Sequence, residues 1–390
     1  LLFHHIKLRR KWQVISCLGS KPGSNFLNRF RNFKVALNHK VVTIKDVAAK
    51  AGVSVSAVSH VLNGNYHQVG ASTRERVLDV IRQLDYRPNA VARSMAKQTT
   101  NTIGLVVNDL RYTTMQSGII RGASEFLKTK NYYPMLILAS DYESEVQAIK
   151  DLQAQQVGGF IFMLSSASTH PNEHLLQLKK QGVPFVVINR AAMLDDDINQ
   201  ITLDDRGAGY KATKHLLSLG HTRIGIVNGP IKGKNSLLSA VERYHGWQQA
   251  LQEYQIQPLS DWVVQGDYNP QSGEQAINEL LARFHEKPNE RPTALFVAGY
   301  DMAVAALRTL QVAGLSVPEN MALVTVDDPE LAAFTNPALT TLAIPADEVG
   351  RIAARTVMDW IKARKQDYVQ KIILGFTLRI RESCGAEKRS

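Results

Sequence analysis

An all-α helix-turn-helix headpiece followed by a two-lobed α/β core of parallel sheets is the fold class this sequence predicts. Three observations carry it. Residues 43–96 place apolar side chains at helical spacing and contain no strand candidate. From Thr102 onward, short Val, Ile and Leu runs alternate with amphipathic stretches, the pattern of strands buried on both faces by crossover helices. These units are too many for one comfortable sheet, which divides the core into two lobes.

The bulk numbers fit that division. A chain of 390 residues suits a small module plus a large one. Its 44% hydrophobic and 21% charged residues are ordinary for a globular protein. No apolar run approaches the roughly 20 residues a membrane span needs. The start is basic but lacks an apolar stretch followed by a small-residue cleavage site, so a cytoplasmic chain is expected. Cys17 and Cys384 are the only cysteines, far apart and without metal-ligand neighbours, which argues against disulfide or zinc frameworks.

The net charge of +11 is unevenly spread. Residues 1–40 carry nine Lys or Arg and no acid, and show neither helical nor strand periodicity. That segment reads as an upstream-extended start of translation, with a basic arm that binds DNA as the alternative. Residues 41–100 hold eight basic against four acidic residues, whereas 101–390 hold 29 against 31. The excess on 41–100 is the informative one, because it sits on a folded module.

Within 43–63 the spacing predicts two helices. Thr43 followed by Asp46 reads as an N-cap with an acid in the first turn. Val47, Ala48 and Ala51 supply an inward stripe, and Gly52 permits the left-handed turn that ends the helix. Ser54 caps a second helix whose Val58, Val61 and Leu62 face inward. Val55, Ser56, Ser59 and His60 are left outside, as on a recognition helix presented to a major groove. Short hydroxyls and an imidazole can bond base edges or phosphates, and Val55 can meet a thymine methyl. The bland alternative is a helical hairpin with a solvated serine face. Ser72-Thr73-Arg74-Glu75 reads as a capping box for a third helix carrying Val77, Val80, Ile81 and Leu84. Arg74 and Arg76 are phosphate candidates there.

In the core, strands are expected at Ile103–Val107, Met135–Leu138, Gly159–Met163, Phe185–Ile188, Ile224–Val227, Ala294–Val297 and Leu323–Val326. Helical stretches between them include Ile119–Lys130, Val146–Gln155, Tyr210–Leu219, Ala240–Tyr254, Gly273–Arg283 and Met302–Ala313.

The run from Ile44 to Asn63, the junction Tyr86-Arg87-Pro88-Asn89 and the short helix-friendly stretch Ala90 to Ala96 resemble the headpiece and hinge helix of the LacI/GalR family. Later matches are Leu216-Leu217-Ser218-Leu219-Gly220-His221-Thr222-Arg223-Ile224 and Asn336-Pro337-Ala338-Leu339-Thr340-Thr341-Leu342. The resemblance covers about 43–380. It implies a periplasmic-binding-protein-like core, a homodimer reading a pseudo-palindromic operator, and paired hinge helices wedging the minor groove. Met95 stands where the family usually has Leu at that wedge. The DNA-contacting set then expected is Thr43, Ser54, Val55, Ser56, Ser59, His60, Asn63, Thr73, Arg74, Tyr86, Asn89, Ala92 and Met95.

The resemblance also implies a small-molecule effector, a sugar or related metabolite, in the cleft between the lobes. The family's effector-binding Arg falls on Arg243, within Ser239 to Trp247, and its hydroxyl-binding Asp on Asp327. Asn189 and Arg190, after a strand C-terminus, and Tyr268 complete the expected set, with Tyr112 a further aromatic candidate. Structural ion pairs or solvated loop ends are the alternative at each position. The family's usual Asn-Asp after the strand near 294–297 is replaced by Gly299-Tyr300-Asp301, which leaves the effector's identity open.

The expected layout is an extension over 1–40, a headpiece over 41–88 and a hinge over 89–101. The core follows over 102–380, with lobe one near 102–200 and 346–373 and lobe two near 201–344 and 374–380. No cofactor and no metal are expected. An enzyme is disfavoured, because there is no phosphate-binding loop, dinucleotide fingerprint or Gly-x-Ser-x-Gly elbow. A periplasmic sugar-binding protein is disfavoured by the headpiece. A dimeric DNA binder that ignores small ligands stays as the alternative.

Overall fold

The structure, a computed structural model, describes residues 42–86, 100–108, 110, 114–163, 172–189, 197–233, 236–363 and 369–386. The chain divides into two compact units, Leu1–Ala90 and Val91–Ser390.

The first unit holds α1 (Ile44–Ala51), α2 (Val55–Leu62) and α3 (Ala71–Gln83). Thr43 and Asp46 form a reciprocal capping box, with the Thr43 N–H donating to Asp46 Oδ2 at 2.8 Å. A cap of this kind stabilises a helix by about 1 kcal/mol. Gly52 ends α1 at φ 63°, ψ 41°, a conformation that costs any side chain with a Cβ. Ser54 Oγ then accepts from the Ala57 N–H at 3.2 Å and starts α2. Val47, Ala48, Ala51, Val58, Val61, Val77 and Val80 close over one another, and Tyr86 packs into the same core. One local expectation fails. Ser72–Glu75 is no capping box, because α3 already begins at Ala71 with Gly70 as its N-cap and no side-chain cap bond. Glycine is an accepted cap, so the helix starts early and takes Ser72 and Thr73 into its first turn.

The second unit runs β1 (Thr102–Val107), α4 (Thr114–Thr129), β2 (Tyr133–Leu138), α5 (Tyr142–Ala154), β3 (Phe160–Met163), α6 (Glu173–Lys180), β4 (Phe185–Ile188) and β5 (Gln200–Leu203). It continues with α7 (Asp205–Ser218), β6 (Ile224–Asn228), α8 (Leu238–Glu253), β7 (Val263–Gln265), α9 (Pro270–Arg283), β8 (Ala294–Val297), α10 (Tyr300–Val312), β9 (Ala322–Val326) and β10 (Thr340–Ala343). It closes with α11 (Ala346–Ala363), β11 (Lys371–Leu374) and β12 (Thr377–Arg379).

Two six-stranded sheets result, ordered β11-β5-β4-β3-β1-β2 and β12-β10-β9-β8-β6-β7. Every pairing is parallel except β10 with β12. The expected strands all form, with boundaries moved by at most two residues. The sequence reading passed over β5, β7, β10, β11 and β12. These are three or four residues long and each includes Gln, Thr, Lys or Arg, so none is long enough to show a hydrophobic period. Pairing with neighbours holds them in place instead. The chain passes between the sheets three times, from β5 to α7, from β10 to α11 and from β11 to β12.

Glycines set two close helix contacts. A Cβ on Gly122 would lie 1.9 Å from the Asp347 carbonyl oxygen, and one on Gly350 would lie 2.0 Å from that of Ile119, which locks α4 against α11. A Cβ on Gly209 would lie 2.1 Å from the Arg243 carbonyl oxygen, and one on Gly246 would lie 2.0 Å from that of Arg206, which locks α7 against α8. The second contact fixes where Arg243 stands. Among the described residues no helix is long and apolar enough to cross a membrane.

Candidate functional site

In the first unit, the α2 surface is arranged for contact rather than packing. Val55 is 41% exposed although it is β-branched and apolar. Ser54 and Ser56 are exposed beside it, with their hydroxyls 2.8 Å apart. Ser59 and His60 follow one turn later and are half-buried. Asn63 caps the far end, its Nδ2 donating to the Ser59 carbonyl at 2.8 Å, and its side chain stays exposed. Thr43 is exposed at the start of α1, where its hydroxyl donates to Asp46.

Arg74 departs from a solvated helix residue. Its guanidinium lies over the Tyr66 ring at 5.1 Å, which orients it from the exposed turn between α2 and α3. The sequence reading missed Tyr66, an exposed aromatic whose signal was its place in an otherwise polar turn. Thr73 is half-buried, and Tyr86 is buried in the headpiece core, so it supports the module through packing. Asn89, Ala92 and Met95 lie outside the described residues, as do Arg190, Tyr112 and the basic segment 1–40.

In the second unit, four of the expected ligand residues gather at strand C-termini. Arg243 on α8 is buried and donates from Nε to Asp205 Oδ1 at 2.8 Å, with Nη2 in ion-pair contact with the same oxygen at 2.8 Å. Its Nη1 donates to the Ala298 carbonyl at the end of β8, also at 2.8 Å. Its guanidinium sits 5.9 Å from the centre of the Tyr268 ring. Asn189 follows β4, and its side chain favours the charged form of Asp205. Asp327, after β9, is close enough to influence both Arg243 and Asp205.

The electrostatics follow from burial around one cation. Burial pushes the Asp205 carboxyl up, while the Arg243 charge and hydrogen bond pull it down. Burial opposes the Arg243 charge, yet Asp205, Tyr268 and Asp327 favour it, and the guanidinium ends above its ordinary range. Asp327 is raised by burial, with Arg243 opposing and Asp205 adding. Asp301, at the start of α10, is pushed up to about 6 by burial and by Asp327. Asp327 thus faces a guanidinium already engaged by Asp205, and Asp301 lies near Asp327. The Tyr268 hydroxyl is raised by burial; it meets no partner in good geometry, with the Ser239 side chain beside it.

Asn189, Tyr268 and Asp327 all adopt left-handed backbone, at φ 51°, 54° and 71°. Such residues cost about 1–3 kcal/mol each and collect where a site needs a side chain aimed against local preference. Gly299 also has a structural reason. A Cβ there would come within 3.1 Å of the Tyr268 ring, and one on Gly229 within 2.2 Å of it. The two glycines make a slot for Tyr268. Asp327 also lines a cavity of about 530 Å³ whose walls include Met115, Gly118, Arg121, Ile344 and Asp347. That size suits a small ligand, for which pockets run from about 300 to 1,000 Å³.

The sequence reading missed Asp205, Asp301 and the Ala298 carbonyl. An acidic pair directly after a short strand, Asp204-Asp205, was the signal available for the first.

Comparison with known proteins agrees with both halves of this geometry. Residues 43–89 match the family described as "Bacterial regulatory proteins, lacI family", and residues 213–384 match a "Periplasmic binding protein-like domain". The chain is 32% identical over 331 residues to catabolite control protein A of Priestia megaterium, covering 84% of this chain and 94% of that one. It is 31% identical over 345 residues to the ribose operon repressor of Haemophilus influenzae, covering 88% and 98%. Among solved structures, the lac repressor dimer bound to operator and the anti-inducer ONPF superposes with a TM-score of 0.77 at 28% identity, covering 88% of this chain and 99% of that one. A complex of the transcriptional regulator CelR with cellobiose gives 0.65 at 30% identity, again covering 88% and 99%. A capped helix-turn-helix, two six-stranded sheets parallel in all but one edge pairing and these matches along most of its length lead to one assignment: the chain belongs to the lacI family of bacterial regulatory proteins.

Proposed function

We propose that this chain is a cytoplasmic repressor that binds a pseudo-palindromic operator as a homodimer and is controlled by a small polyhydroxylated ligand in the cleft of its second unit. The observation that carries the DNA half is the α2 face of exposed Val55 and Ser56 and half-buried Ser59 and His60, on a helix held by its own cap and core. The observation that carries the ligand half is the buried cluster of Arg243, Tyr268 and Asp327, of which Asp327 also lines a cavity of about 530 Å³. Relatives named as repressors, and structures solved with operator or with cellobiose, support both halves.

Selection of bound sequences from a random DNA pool by the full chain tests the reading. A pseudo-palindrome with a deformable central step is expected. His60→Ala should then change base preference inside each half-site, whereas Arg74→Ala should weaken all sequences alike. An unenriched pool would overturn the proposal.

A further inference from the structure

The recognition helix α2 runs directly into a turn that carries no acid and meets one stacked cation. Residues 47–74 contain neither Asp nor Glu. The eight residues of α2 span about 12 Å, and a major groove is itself about 12 Å wide. With the N-terminal turn of α2 in the groove, the residues just past its C-terminus stand at the groove's edge, where the phosphates run.

Tyr66 opens that turn, Tyr66–Gln68, and the backbone ties it to α2. The Asn65 N–H donates to the His60 carbonyl at 2.9 Å, and the Val69 N–H donates to the Tyr66 carbonyl at 3.2 Å. Val69 then packs against the headpiece core. The Tyr66 side chain stays outside that core and is 47% exposed. What its ring meets is the Arg74 guanidinium, 5.1 Å from the ring centre. Arg74 is half-buried, and among the described residues no carboxylate pairs with it, whereas Arg82 on the same helix pairs with Asp79 at 3.5 Å. A ring neutralises no charge. The stack therefore fixes the direction of the guanidinium and leaves its charge for an anion. A free arginine gives up rotamer freedom to make such a contact, and one already held gives up less.

We infer that Tyr66 is a positioning residue for operator binding, whose ring holds Arg74 toward a backbone phosphate at the edge of the groove that α2 enters. Tyr66 reads no base. It raises affinity for every sequence alike by preorganising one charged contact. The inference rests on the DNA-binding reading above and adds to it a residue that touches DNA only through another.

The test uses the full chain and the operator it selects from the random DNA pool, at a temperature where every variant is folded. Tyr66→Ala, Tyr66→Phe, Arg74→Ala and the double variant Tyr66→Ala with Arg74→Ala are titrated across a range of salt. Arg74→Ala should weaken binding by about tenfold, the scale of one hydrogen bond to a charged group. It should also lower the slope of log affinity against log salt by about 0.9, the value for one phosphate. Tyr66→Ala should weaken binding by about threefold, the scale of an exposed cation–π contact, without changing the preferred bases. Tyr66→Phe keeps the ring and should bind as the unaltered protein does. In the double variant, Tyr66→Ala should add nothing to the loss caused by Arg74→Ala. Unchanged affinity in either single alanine variant would overturn the inference, and so would an equal effect of Tyr66→Ala with and without Arg74. Weak binding by Tyr66→Phe would put the hydroxyl rather than the ring to use and overturn it as well. Altered base preference in Tyr66→Ala would make Tyr66 a reader of sequence, with the same result. Failure of the unaltered protein to enrich any operator would instead overturn the DNA-binding reading.

Discussion

Arg243 and Asp205 each depend on the other for burial. Removing one partner of a buried pair leaves an uncompensated charge and typically costs about 3–5 kcal/mol, whereas removing both costs far less. Arg243→Ala is therefore expected to lower the unfolding free energy of the second unit by about 3–5 kcal/mol. The double change Arg243→Ala with Asp205→Ala should recover a good part of that loss. Urea unfolding followed by circular dichroism checks it, and equal stability of the single and double variants would remove the pair from the account. Asp301 makes a separate prediction. Its folded pKa, pushed up to about 6, lies above the ordinary carboxyl value of 3.8. The folded state thus holds that proton more tightly, so the contribution is fully present below the ordinary value and is lost as pH rises through about 6. Asp301→Asn should flatten the fall in melting temperature between about pH 4 and pH 7. A variant with the same slope as the unaltered protein would show that Asp301 titrates normally.

At the scale of elements, the two glycine-mediated helix contacts differ sharply from the glycine slot around Tyr268. A methyl at Gly246 would sit 2.0 Å from a backbone oxygen on α7, and neither helix can yield without separating the pair. Gly246→Ala should destabilise by about 1–3 kcal/mol, the usual scale of overpacking, and shift Arg243 with it. Gly299→Ala meets only the Tyr268 ring at 3.1 Å and the tip of Met302, so a smaller change is expected. Thermal unfolding of both variants checks the order, and a reversed order would mean that α7 and α8 separate easily. The sequence announced some elements better than others. Long buried runs such as Ile103–Val107 and Phe185–Ile188 were legible because burial on both faces needs continuous apolar residues. The Thr43 cap, the Gly52 turn and the Ser54 cap were legible because each is a local bargain of three or four residues. Very short strands such as Lys371–Leu374 were not, since four residues show no clear period and their place is set by a partner strand far away in sequence. The same limit applies to the site. Arg243 and Asp327 came from family resemblance, but Asp205 is identified only by the packing of α7 against α8 that brings Arg243 to it.

At the scale of the whole molecule, charge is segregated along the chain. The segment 101–390 is close to neutral, with 29 basic and 31 acidic residues, so attraction to DNA must come from the residues before it. Residues 41–100 carry a modest excess of eight basic over four acidic, whereas 1–40 carry nine basic residues and no acid. These two sources predict different salt dependence. Each phosphate neutralised by a lysine or arginine steepens the slope of log affinity against log salt by about 0.9 on duplex DNA. If the headpiece alone engages the operator, removal of residues 1–40 should leave both the slope and the selected half-site unchanged. If the basic segment lies along the duplex, the slope should fall by several units while the preferred bases stay the same, because phosphate contacts position a protein without reading sequence. We expect the first outcome, since the recognition face, its caps and its core all lie within 43–86. Titration of operator binding from low to physiological salt, with and without the segment, decides between them.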